Sequence, residues 1–146
     1  MEQKRIGIIG CSRIAPLSII NPVREIETLT VYGIASRDYE TTKVYAREND
    51  ISYHFHDYNE LLNCTDIDIV YIALPPKLHT QWIRKPAARK KPILVEKPIC
   101  LSSDEFLLIE NECKNNDVYL LEAVMVQHHQ WQAYIRKIIK EKNPAS

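Results

Sequence analysis

Glu96-Lys97-Pro98 closes a hydrophobic run, Ile93-Leu94-Val95, and so places a carboxylate and an ammonium side by side where a buried strand reaches the surface. In open α/β sheets that carboxyl rim is where ligands bind. Lys97 has the chemistry to donate to a substrate hydroxyl or carbonyl oxygen and to stabilise negative charge developing there during hydride transfer. Glu96 is suited to orient the lysine or the nicotinamide side. Pro98 can fix the direction of the lysine backbone, through a cis bond that proline makes accessible. The same residues would also serve as a plain surface ion pair in a strand-exit turn, so a second element has to carry the reading.

That element lies at the other end of the chain. Ile6-Gly7-Ile8-Ile9-Gly10-Cys11-Ser12-Arg13-Ile14-Ala15 reads as a strand, a tight turn and a helix start. Gly10, Ser12 and Ala15 occupy the three small-residue positions of the dinucleotide fingerprint, in which backbone approaches a pyrophosphate at a helix N-terminus. Ser12 stands where glycine is usual, so it brings a hydroxyl that can meet a phosphate and a Cβ that restricts the turn. The second strand ends Ala35-Ser36-Arg37-Asp38. A hydroxyl and a guanidinium there suit the 2′-phosphate of NADP, the preferred cofactor, while Asp38 keeps NAD open, as ribose ligand or merely as helix cap. Leu74, Pro75 and Pro76 stop the fourth strand and hold the loop extended, as a wall beside the nicotinamide ribose. His79 follows at a helix start on the same rim.

Strands and helices must alternate to position these groups. The sequence predicts strands at 5–9, 29–35, 51–55, 67–74, 93–95 and 118–121. It predicts helices from Ala15-Pro16, from Asp38 as cap to Glu48, at 58–62, at 79–90 with a kink at Pro86, at 104–115 capped by Ser103, and at 130–142. Only the tail from Lys142 reads as frayed. Such alternation predicts an α/β fold with a doubly wound parallel sheet.

Bulk composition excludes several classes. Lys plus Arg and Asp plus Glu both number 19, so nothing attracts nucleic acid or an anionic membrane. The cluster Arg84, Lys85, Arg89, Lys90 and Lys91 reads as the solvated face of a helix and its exit turn. The four cysteines, Cys11, Cys64, Cys100 and Cys113, have no metal-ligand spacing and read as reduced thiols of a cytoplasmic protein. No apolar run approaches the ~20 residues of a membrane span.

The segments GIIGCSRIA, ASRD, DIDIVYIALPPKLH, VEKP and EAVM, in this order, resemble the Gfo/Idh/MocA oxidoreductases, the group of glucose–fructose oxidoreductase, inositol dehydrogenase and dihydrodiol dehydrogenase. The resemblance covers nearly all of the chain. It implies a Rossmann-type dinucleotide-binding domain, here 1–122, that holds NADP or NAD. A substrate domain would follow, with 123–146 as the linker and first helix leading towards it. It implies hydride exchange with a small molecule, a sugar, polyol or related hydroxy or carbonyl compound. Lys97 resembles the catalytic lysine. The expected cofactor shell is Gly10, Cys11, Ser12, Arg13, Ile14, Ala15, Ser36, Arg37, Leu74, Pro75, Pro76, His79, Glu96 and Lys97. Departures are Ser12, Pro76 where asparagine is common, and Gln127 where arginine is common. The Asp and His that complete the family's acid–base set belong to its second domain, which is expected to be missing here. His128 and His129 resemble the link into that domain. The alternative is a non-catalytic nucleotide-binding module acting as a partner subunit. Trp131, Tyr134, Ile135, Ile138 and Ile139 share one helix face. They are expected to pack in a core or, if left uncovered, to mediate a homo-oligomer or a contact with another chain.

Overall fold

A computed structural model of the protein describes residues 3–142, so the frayed tail expected after Lys142 lies outside the described residues. Six strands form one parallel sheet: β1 (Lys4–Ile9), β2 (Leu29–Ala35), β3 (Tyr53–Phe55), β4 (Ile69–Ile72), β5 (Ile93–Val95) and β6 (Leu120–Glu122), in the spatial order β3-β2-β1-β4-β5-β6. This is the doubly wound Rossmann order, and its switch point falls between β1 and β4. The helices are α1 (Asn21–Arg24), α2 (Tyr39–Glu48), α3 (Tyr58–Asn63), α4 (His79–Ala87), α5 (Ser103–Asn116) and α6 (Gln130–Lys142). Strand residues alternate between two cores, as the period of two requires. Ile6, Ile8, Ile34, Tyr71 and Ala73 face one layer with Ile20 and Val23, whereas Ile9, Val70, Ile72 and Val95 face the other with Ile83 and Ile109.

Local chemistry explains most boundaries. Asp38 caps α2, its Oδ1 accepting from the N–H of Thr41 at 2.7 Å. That bond holds the Asp38 carboxyl below its ordinary value. Its stabilising effect is therefore full above the ordinary carboxylate range and is lost as pH falls through the lowered value. Asp38→Asn, which can still cap, is expected to flatten this part of the acid limb of a stability-versus-pH curve. The α5 cap is Ser102 and not Ser103: the extended Ser102 accepts from Glu105 N at 3.2 Å while Glu105 Oε2 accepts from Leu101 N at 2.7 Å, a reciprocal capping pair one residue earlier than expected. Pro86 does not kink α4; it lies in the last turn, and the helix stops at Ala87. The first helix opens at Pro16 as a π turn, Pro16–Ile20, before α1. Pro22 has no N–H for the carbonyl of Ser18, and the wider turn is closed by Asn21 N–H on Pro16 O.

Two other readings need correction. Lys91 is not simply solvated: it is half-buried, its ammonium donates to Cys64 O at 3.0 Å, and burial pulls its pKa down. The stripe on α6 is not core, since α6 contains no buried residue and Trp131, Tyr134, Ile135 and Ile139 are exposed.

Candidate functional site

The carboxyl ends of β1, β2, β4 and β5 enclose one cleft of about 850 Å³. Gly10, Cys11, Ser12 and Ile14 form its floor, Ser36, Arg37, Asp38 and Tyr58 one end, Ala73, Leu74, Pro75, Lys77 and Leu78 a wall, and Glu96 and Lys97 the far rim. Ten expected residues thus meet there. Arg13 is exposed beside it, Ala15 is fully buried under the turn, and Pro76 opens the short turn Pro76–Leu78.

Gly10 has φ +105° and donates its N–H to Ala35 O at 2.8 Å. A Cβ there would lie 2.6 Å from Ala73 O, so only glycine lets β1 turn this close to β4. Beyond it, the N–H groups of Cys11, Ser12 and Arg13 have no acceptor among the described residues, which leaves a row of donors at the start of the helical turn. Ser12 is held from both sides. Its Oγ accepts from Ile14 N at 3.2 Å, and its carbonyl accepts from the Tyr45 hydroxyl at 2.7 Å. Tyr45 is pushed up to about 12 by burial, so it stays a donor. Burial likewise raises the Cys11 thiol, against the opposing pull of Ser36 and Thr42, so it sits in the turn as a neutral group.

At the β2 end the two candidate phosphate groups part company. Ser36 is buried, and its hydroxyl is taken by Thr42 Oγ1 at 2.7 Å and Asp38 O at 2.9 Å. These bonds brace the turn, with Ser36 still part of the cleft lining. Arg37 is exposed and makes no ion pair among the described residues. Asp38 lines the cleft, but its carboxylate is engaged in capping.

On the far rim, the Lys97–Pro98 bond is cis. Lys97 is exposed, and Glu96 is half-buried, bound by the hydroxyl of Tyr71 and not by Lys97. His79 departs most from expectation. It is fully buried and absent from the cleft wall. Its Nδ1 lies 2.8 Å from Pro98 O and its Nε2 2.7 Å from Leu74 O, so it staples the loop after β4 to the turn after β5. A neutral ring donates to one of these carbonyls, and only a doubly protonated ring donates to both. Lys77, Tyr58 and Leu78 line the cleft without having been singled out; the first and last follow directly from the Pro75-Pro76 turn.

The chain that carries this glycine turn and lysine turn, set at the switch point of a parallel sheet, has relatives among known proteins. A family model described as Oxidoreductase family, NAD-binding Rossmann fold (Gfo/Idh/MocA) matches residues 4–124. The chain belongs to the Gfo/Idh/MocA oxidoreductase family. Similar members include the D-xylose 1-dehydrogenase (NADP(+)) 2 of Haloferax volcanii, 37% identical over 84% of this chain and 38% of that protein. An uncharacterized oxidoreductase of Rhizobium meliloti is 35% identical over 90% of this chain and 40% of its own length. The 3-ketoreductase KijD10 of Actinomadura kijaniata, solved with NADP, superimposes with a TM-score of 0.89 at 26% identity, over 96% of this chain and 44% of that one. The chain therefore spans about two fifths of the length of the curated Gfo/Idh/MocA relatives it matches. Among the described residues, no helix is long and apolar enough to cross a membrane.

Proposed function

We propose that this chain is the cofactor-binding portion of an NADP(H)-dependent oxidoreductase that exchanges a hydride with a sugar, polyol or related hydroxy or carbonyl compound. The observation that carries the reading is the continuity of one cleft from Arg37, across the donors of the Gly10 turn, to Glu96 and Lys97. Cys11, Ser12 and Arg13 would hold the pyrophosphate on their N–H groups, and Leu74 and Pro75 would flank the nicotinamide ribose. NADP is preferred over NAD because the exposed Arg37 guanidinium makes no ion pair among the described residues, whereas Asp38 has its carboxylate engaged. The NADP in the name of the Haloferax protein, and in the solved complex of the Actinomadura protein, supports the same choice.

When bound, the nicotinamide supplies or accepts the hydride. The chain's own part is positional and electrostatic. Lys97 would donate to the substrate oxygen at the mouth of the cleft, stabilising charge and handing over a proton as a carbonyl is reduced, or receiving one as an alcohol is oxidised. Residues 1–122 form the nucleotide-binding unit on this reading, and 123–146 lead towards the part that completes the substrate pocket.

The test is binding. NADPH at 100 times its Kd should stabilise the chain by about 2.7 kcal/mol, a rise of roughly 5–10 °C in melting temperature. Arg37→Ala should weaken NADPH by about 10–100-fold and leave NADH almost unchanged, because only the former places a phosphate on the guanidinium. No thermal response to either nucleotide would sink the proposal, and equal loss for both would remove the NADP preference.

A further inference from the structure

Tyr71 is the one hydroxyl-bearing residue of β4, whose other members are Ile69, Val70 and Ile72. It is 1% exposed, between Ile8 of β1 and Leu94 of β5. A phenol buried there is costly unless its hydroxyl is bonded. The hydroxyl has two partners: Glu96 Oε1, to which it donates, and Ser18 Oγ at 2.8 Å, on the π turn that follows the glycine loop.

Counting protons gives this chain a direction. Ser18 Oγ lies 3.0 Å from Ile14 O, but that carbonyl already accepts the N–H of Ser18 at 2.9 Å and of Leu17 at 3.0 Å. The Tyr71 proton goes to the carboxylate, so the 2.8 Å contact closes only when Ser18 donates to the Tyr71 oxygen, in competition with its bond to Ile14 O. The bonds run Ser18 to Tyr71 to Glu96 and end on the one group in the set that only accepts when ionised. Burial, reinforced by the adjoining carboxylate, pushes the phenol far above its ordinary value, which keeps it a neutral donor. The second carboxylate oxygen of Glu96 has no partner among the described residues, and Glu96 lines the cleft next to Lys97.

We propose that Tyr71 is a positioning residue that acts through Glu96, fixing one carboxylate oxygen so that the other is presented to the nicotinamide end of the cleft, and tying that end to the helical turn that receives the pyrophosphate. The purpose assigned to Glu96 rests on the nucleotide reading given above; the hydrogen-bond chain does not.

Tyr71→Phe keeps the ring and removes the oxygen. NADPH affinity is expected to fall about tenfold, as for loss of a hydrogen bond to a charged group. The decisive comparison is the same change in a Glu96→Ala background. Acting through Glu96, Tyr71→Phe should there change affinity by less than about twofold, whereas a merely structural role would repeat the tenfold loss. A cofactor-free readout accompanies it. Proton NMR of the free wild-type chain should show a slowly exchanging hydroxyl resonance that vanishes in Tyr71→Phe and moves in both Glu96→Ala and Ser18→Ala. Absence of that resonance, or its indifference to Glu96, overturns the chain of bonds. Additive losses in the cycle overturn the role assigned to Tyr71. If the resonance behaves as stated but wild type binds neither NADPH nor NADH, the nucleotide reading falls, and with it the purpose given to Glu96, while the bonded chain stands.

Discussion

Gly10→Ala is expected to lower the melting temperature by roughly 5–20 °C, from ~1–3 kcal/mol of backbone strain and ~1–3 kcal/mol of overpacking, and to remove measurable NADPH binding. Two features combine at this position. The φ of +105° is one that alanine adopts only under strain, and the added Cβ would meet a backbone oxygen, Ala73 O, at 2.6 Å. Neither can be relieved by a side-chain rotation, so β1 must draw away from β4, and that separation opens the turn whose N–H groups face the cleft. Gly7→Ala is the informative control. Its Cβ would meet Ile67 Cδ1 at 2.7 Å and Leu61 Cδ2 at 2.9 Å, both ends of flexible side chains, and it lies within the strand. It should cost stability by overpacking, yet leave NADPH affinity within a few fold. Thermal scans with nucleotide titrations of the two variants separate the effects. A Gly10→Ala chain that binds NADPH like wild type would show that the turn is not the pyrophosphate site.

What the sequence made legible was local. β2 and β5, the Asp38 cap and the span of α6 follow from short-range periodicity and from caps whose donor and acceptor lie within four residues of each other. The 67–74 run was harder to bound, because its apolar character continues past the ladder: pairing with β1 and β5 extends only from Ile69 to Ile72. Contacts distant in sequence were not legible at all. Tyr71 falls inside the expected 67–74 strand with no role of its own, and nothing near it announces a carboxylate 25 residues later. The bond of Ser36 to Thr42 was equally hidden, because that partner sits six residues on in α2. The stripe on α6 shows the same limit: helical spacing gives an apolar face but not what covers it. The cleft itself was readable, since each of its walls is a strand exit and strand exits on one rim converge whatever lies between them.

His79 is where position and role diverged, and replacing it should have a large effect for a reason unrelated to ligand contact. His79→Ala removes the one side chain that, among the described residues, bridges Leu74 O and Pro98 O, and leaves a cavity where the buried ring stood. A neutral ring bonds one of the two carbonyls, so the bond alone accounts for ~1–3 kcal/mol, to which the cavity left by the fully buried ring adds, a sizeable part of the ~5–15 kcal/mol that holds an ordinary domain together. Ile83→Ala supplies the comparison: it lies on the same helix, is as fully buried, and should cost about 2–5 kcal/mol by cavity formation alone. If His79 acts only by filling space, the two variants at matched stability will bind NADPH equally. If it aligns the rim, NADPH affinity will fall further in His79→Ala, because the Leu74–Pro75 wall and the Lys97–Pro98 turn lose their common anchor while the core beneath stays packed. Denaturant melts and NADPH titrations of both variants decide between these outcomes. The second is expected, since the two ring nitrogens of His79 lie against backbone carbonyls of Leu74, which lines the cleft, and of Pro98, which follows Lys97 on its rim.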